Sequence, residues 1–277
     1  MNILEFTGLV GLVSMSAGFL GALTGLGGGV VIVPLLTLLF GVDVRYAIGA
    51  SLVSVIATSC GAAAAFVKEG YTNLRLGMLL EVATTMGAIA GAILAVHIPT
   101  QAIAIVFGMV LLATAYLSRQ PHVEHEATSP DPLATRLKLN NSYPTTEGMQ
   151  AYSVRAVPLG FGIMTIAGAL SGLLGIGSGA FKVLAMDQVM QIPFKVSTTT
   201  SNFMIGVTAA ASAGIYLNRG YIDPGLAMPV MLGVLFGALL GAKMLIRARV
   251  ARLRLIFNGV IVLLACEMLY NGFTGKS

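Results

Sequence analysis

The residues of this chain best suited to chemistry sit at two glycine-rich breaks, Gly25, Gly27, Gly28 and Gly29 in the first half and Gly175, Gly177, Ser178 and Gly179 in the second. In water such runs suggest a phosphate loop, but neither has the Gly-x-x-x-x-Gly-Lys-Ser/Thr spacing or a strand before it. In an apolar chain the same residues interrupt a helix and free backbone N–H groups, which persist only where protein or a polar cavity covers them. Those groups, at the positive end of the helix that follows, suit an anion. Lys182, three residues after Gly179, would add a full positive charge to such a site. Thr200, Ser201 and Asn202, in the polar run that opens the next segment, can donate hydrogen bonds to an oxyanion without adding charge. The first half has Ser51 at the position of Ser201. Plainer roles compete at each position: close helix packing for the glycines, snorkelling to an interface for Lys182, and capping for the hydroxyls.

Other groups read as structural. Glu81, Asp187 and Glu267 fall in or near apolar segments and are expected to be interfacial or neutralising charges, with Asp187 placed in sequence to balance Lys182. Cys60 and Cys266 lie far apart in apolar runs and are expected to be small buried residues. His122 and His125 belong to a polar stretch, and His-x-x-His without further ligands is a weak metal signal. No metal or cofactor is expected. An intramembrane enzyme would need a paired-acid, His-Glu-x-x-His or Ser-His constellation, and only His97 lies in a helical run, so no enzyme is expected.

The elements that must hold these residues follow from composition. The 277 residues are 56% hydrophobic and 10% charged, with a mean hydropathy of +0.89, against about 25% charged for soluble domains. Uncharged runs at 6–42, 46–67, 82–118, 156–181, 196–218 and 224–242 compare with the roughly 20 residues that one membrane crossing needs. The net charge of +5 lies mostly in loops, where it sets orientation, and implies no nucleic-acid partner. Met1 to Glu5 lacks the basic start of a secretory signal, so the first helix is expected to be kept.

Displacing the chain by 150 residues aligns 18–92 with 168–242 without a gap, and 18 of the 75 positions are identical, where chance gives about 6. Seven of these identities are glycines. The expected fold is an all-α polytopic membrane protein of two homologous repeats, each of about five helical segments with a glycine-broken half-helix. Residues 1–118 form the first repeat, 119–155 a polar linker that is mobile unless docked, and 156–277 the second repeat. Segments are expected near 5–26, 29–41, 46–67, 76–97 and 101–118, then 156–176, 179–190, 196–217, 225–246 and 253–271. The second segment of each set is too short to span the ~30 Å hydrocarbon core as a helix. If all ten cross, Lys and Arg concentrate on one side, which makes that side cytoplasmic, puts both termini outside and inverts the repeats.

The stretches Gly21 to Gly29 and Gly172 to Gly179, together with Gly41 to Leu52, resemble the sulfite exporter TauE/SafE family of bacterial inner-membrane proteins. The resemblance covers nearly the whole chain except the linker. It implies a secondary transporter that moves sulfite or an organosulfonate such as sulfoacetate by alternating access. Two departures stand out. Asp43-Val44 replaces the usual proline pair after the short arm, and Lys182 occupies a position that is apolar in many relatives. The expected partners are a small anionic substrate and the lipid bilayer of the inner membrane, and a homodimer stays open. The alternatives are the membrane subunit of a larger energised complex, or a permease for another small anion.

Overall fold

A computed structural model describes residues 3–24, 28–68, 70–117, 131–145, 148–245 and 250–274, with side chains described except at 3–4, 22–24, 61–68, 241–245 and 250–257. The first set of helices is α1 (Ile3–Thr24), α2 (Gly29–Phe40), α3 (Val44–Lys68), α4 (Leu74–His97) and α5 (Thr100–Leu117). A short α6 (Pro132–Arg136) and a hairpin of β1 (Asn141–Thr145) and β2 (Gly148–Tyr152) follow. The second set is α7 (Val157–Leu174), α8 (Gly179–Leu184), α9 (Phe194–Asn218), α10 (Pro224–Leu245) and α11 (Val250–Thr274). A π-helical turn, Ala185–Val189, continues α8. The chain is thus mostly helical, and the hairpin is a two-stranded exception to the all-α expectation. Its strands pair antiparallel, with Asn141 opposite Tyr152.

Helix starts follow local chemistry. Asp43 Oδ1 accepts the Arg45 N–H at 2.8 Å, so the acid that stands in for a proline caps α3. Pro193 precedes α9, and Asn73 caps α4 by accepting the Leu76 N–H at 3.1 Å. The short arms begin and end close to their expected bounds.

Helix surfaces are apolar both inside and out. On α4, Leu76, Leu80, Ala83 and Ala88 are buried, while Met78, Val82, Met86, Ile89 and Ile93 are exposed. A helix that is apolar on every face belongs in a core or in lipid. Among the described residues α4, α5 and α7 are long and apolar enough to cross a membrane by length and composition. Cys60 and Cys266 are exposed, contrary to expectation, because apolar surroundings in sequence do not imply burial when the outer surface is apolar too.

Glycines set the helix contacts. A Cβ on Gly168 would collide with Thr84 O and one on Gly172 with Ala88 O, so α7 packs backbone to backbone along α4. Glycines of α10 do the same to α1, Gly233 against Gly11 and Gly237 against Met15. Contacts in both pairs advance together along the sequence, so those helices run parallel. The α3–α9 pair is antiparallel: Arg45, at the start of α3, lies 5.7 Å from the Tyr221 ring just beyond α9, and mid-helix Ser59 faces Gly206. Between α5 and α11, Gly108 meets Ala265 and Gln101 meets Gly272, again antiparallel.

Residues 131–145 and 148–155 are docked rather than loose. Ala134, Leu139, Tyr152 and Val154 join a core with Leu76, Leu80, Met186, Met190 and Val196. Asn73 Nδ2 donates to Leu139 O and to the Tyr152 hydroxyl, both at 2.8 Å. Burial pushes the Tyr152 phenol up to about 12, against the opposing effect of the Asn73 hydrogen bond. His122, His125 and the rest of 118–130 lie outside the described residues.

Candidate functional site

The second break is built by three left-handed residues. Gly175 (φ 66°) caps α7 by donating its N–H to Ser171 O at 2.8 Å, and Gly177 (φ 69°) and Ser178 (φ 44°) turn the chain into α8. Left-handed backbone is natural for glycine, while a serine held there is unusual and strained. The last carbonyls of α7 find partners from α9 and α3. The Tyr216 hydroxyl lies 3.2 Å from Gly172 O, and the Ser51 hydroxyl donates to Gly175 O at 2.8 Å. Helix-end carbonyls would otherwise be unsatisfied.

The two breaks meet. A Cβ on Gly29 would lie 2.8 Å from Ser51 Oγ and 3.1 Å from Gly175 O, and one on Gly177 2.9 Å from Ile205. Gly28 precedes α2 and packs toward Val234. Ser201 Oγ reaches Gly179 O at 3.4 Å. Gly25 and Gly27 lie outside the described residues.

Lys182 departs most sharply from the snorkelling alternative, being fully buried with 0% exposure. Its Nζ donates to Thr208 Oγ1 of α9 at 2.6 Å, and Thr208 Oγ1 is 2.8 Å from Glu81 Oε1 of α4. Thr85 donates to the same carboxylate oxygen at 3.2 Å, and Thr84 lies 3.4 Å from the Thr208 hydroxyl. The countercharge of Lys182 is therefore Glu81, not the Asp187 that sequence proximity favoured. Of the two roles expected for Glu81, the neutralising one holds and the interfacial one does not, since only 8% of the residue is exposed. Asp187 is buried on the π-helical turn, and Glu267 is exposed.

The remaining sequence candidates divide. The Thr200 hydroxyl oxygen accepts the Asn73 N–H at 3.1 Å, which ties it to the loop before α4. Asn202 is half-buried. Ser178 Oγ is buried without a hydrogen-bond partner, as is Ser171 Oγ. Sequence reasoning missed Thr208 and the pairing of Glu81. A signal existed: an acid and a lysine at the edges of uncharged runs and inside expected helical segments are each costly in an apolar interior and demand opposite partners. Three acids competed for one lysine, and contacts alone chose among them.

Lys182 is a buried ammonium with three donors that makes one hydrogen bond among the described residues, and the hydroxyls of Ser171 and Ser178, which precede it in sequence, are buried without a partner. Spare donors in a dry setting favour an anion with several oxygens. A separate cavity of about 280 Å³ at the end of α2 is lined by Thr37, Asp43, Met268 and Asn271 among others, and its one charged lining residue is acidic. Among the described residues no three His, Cys, Asp or Glu side chains gather as metal ligands would.

Helices with apolar outer faces around buried, paired charges define a helical membrane protein with an internal polar site. Residues 10–268 match the family described as sulfite exporter TauE/SafE, and the chain belongs to that family of membrane transporters. It is 28% identical to a probable membrane transporter protein, YunE, of Bacillus subtilis, over 92% of this chain and 94% of the relative. A second B. subtilis relative, probable membrane transporter protein YdhB, is 29% identical over 84% and 86%. A probable membrane transporter protein of Methanocaldococcus jannaschii is 25% identical over 93% of both chains. No solved structure matches the chain.

Proposed function

We propose that this chain is a secondary transporter, an exporter of a small sulfur-containing anion such as sulfite or an organosulfonate like sulfoacetate, multi-pass in the inner membrane. The observation that carries the reading is Lys182, a fully buried cation with unused donors one turn beyond a glycine break. Ser178, Ser201 and Asn202 would complete the oxyanion contacts, while Ser51 and Thr200 hold the backbone around them. Gly175, Gly177 and Gly179 let that backbone pass close to the ligand.

The helices support two inverted repeats, 1–118 and 156–277, joined by 119–155. Helices start at 29, 44, 74 and 100, and again at 179, 194, 224 and 250, a constant displacement of 150. Equivalent helices α3 and α9 lie antiparallel, as do α5 and α11, which is the relation expected of inverted units meeting at an axis in the membrane plane. Alternating access would follow from one unit rocking about the breaks.

The test is counterflow in proteoliposomes across sulfite, sulfate, thiosulfate, taurine and sulfoacetate. Exchange of at least one sulfur oxyanion is expected, together with its loss in the Lys182→Ala, Asn202→Ala double variant. Unchanged flux in that variant would falsify the site.

A further inference from the structure

Glu81 is a buried carboxylate that the anion site does not need. One of its oxygens, Oε1, accepts hydrogen bonds from Thr208 and Thr85, while Oε2 is buried with no partner. The positions equivalent to Glu81 and Lys182 after the 150-residue displacement are Met231 and Ile32, so this charge pair occurs once. Thr208 matches Thr58, whose hydroxyl bonds only to carbonyls of its own helix, Ser54 O and Val55 O.

Charge counting inside a low-dielectric site gives this arrangement a consequence. With Glu81 ionised, the cluster of Lys182 and Glu81 is neutral. An arriving anion then brings uncompensated negative charge beside a carboxylate, which is costly. A proton taken from solution onto Glu81 Oε2 cancels that cost for a singly charged anion and removes one of the two excess charges for a dianion, and it turns an acceptor-only group into one that can donate. Lys182 stays an ammonium, now with the anion as its counter-ion. Other charges facing the pair are few among the described residues. Helix α7 carries none, α9 has Lys195 at its first turn beside Tyr71, α5 has none, and the π-helical turn holds Asp187. The electrostatic partner of each member is the other member.

We propose that Glu81, bridged to Lys182 by the Thr208 hydroxyl, is a proton-binding site whose occupancy is linked to that of the anion, so that proton and anion cross together. This inference rests on the reading of the chain as an anion transporter and not on export, since a proton and an anion that cross together move in the direction set by their summed gradients. Glu81 is a coupling residue, and its substitution by glutamine mimics the protonated state.

The experiment uses the full chain in proteoliposomes with the membrane potential clamped at zero. The probes are sulfate, thiosulfate and sulfoacetate, whose charges stay constant around neutral pH, whereas sulfite takes up a proton of its own. A one-unit pH step, acid on the side of the anion, is expected to drive accumulation of the transported probe toward about tenfold, the limit for one proton per anion. A trapped pH indicator should report protons entering with it. Glu81→Gln should keep counterflow and lose the pH-driven accumulation. The inference is overturned if wild type exchanges an anion but neither accumulates it nor moves protons under the pH step, or if Glu81→Gln still accumulates it. Should that variant not fold, the wild-type indicator trace decides alone. Absence of counterflow for every anion would instead overturn the transport reading itself.

Discussion

Lys182 and Glu81, carried by opposite halves of the chain, are joined through a single hydroxyl: Thr208 Oγ1 lies 2.6 Å from the ammonium and 2.8 Å from the carboxylate. A hydroxyl can accept from one group and donate to the other at once, so it keeps the two charges correlated without direct contact. In a core made largely of apolar side chains, this is where α4 meets α8 and α9 through charged groups and a hydroxyl.

Removing that hydroxyl while keeping side-chain shape should be costly. Thr208→Val deprives both charged groups of a partner, and a hydrogen bond to a buried charge contributes about 1.5–3 kcal/mol. Thr58→Val, at the equivalent position, deletes only bonds to its own helix and should stay within about 0.5 kcal/mol. Thermal unfolding of the two variants in the same detergent checks the contrast, and equal shifts would count against the bridge.

Helix packing offers a second contrast. Gly172→Val puts a side chain into Ala88 O, where α7 and α4 touch, and overpacking of that kind typically costs 1–3 kcal/mol. Gly162, on the same helix, has no atom within 4 Å of its added Cβ. Gly162→Ala should therefore be neutral or stabilising by up to about 1 kcal/mol, since alanine is the better helix former. Melting temperatures of the pair, measured side by side, test the assignment of this face.

The docked hairpin should respond to alkali. The Tyr152 phenol ionises near 10 when free but only at about 12 when docked. The docked state therefore holds more protons between these values, and its stability falls as pH rises from about 10 toward 12. Limited proteolysis within 141–152 should accelerate over that window, and Tyr152→Phe, which cannot ionise, should flatten the response. An unchanged pH profile in the phenylalanine variant would remove Tyr152 as the cause.

Much of the architecture was legible before any coordinates. Helix bounds fell within a few residues of expectation because apolar runs, glycines and polar punctuation are local signals. The short arms at Gly29 and Gly179 and the left-handed turn at Gly175 follow from residue type, since few residues but glycine tolerate that backbone. The hairpin at 141–152 was not legible. Its strands are short and polar, and its stability comes from docking Leu139 and Tyr152 onto α4, the π-helical turn and α9.

By itself, then, the sequence determined an apolar helical chain with a 150-residue internal echo, two glycine breaks and a few stranded charges, because composition, period and backbone tolerance act over short distances. Tertiary structure alone decided how those charges are spent. It selected Glu81 over Asp187 as the partner of Lys182, committed Ser51 to Gly175 O and Thr200 to the Asn73 N–H, and left Ser178 Oγ and Glu81 Oε2 without partners. The reason is geometric. Hydrogen bonds between residues more than a hundred positions apart depend on which helix faces meet, and that is set by where glycines allow α4 to lie against α7 and α1 against α10.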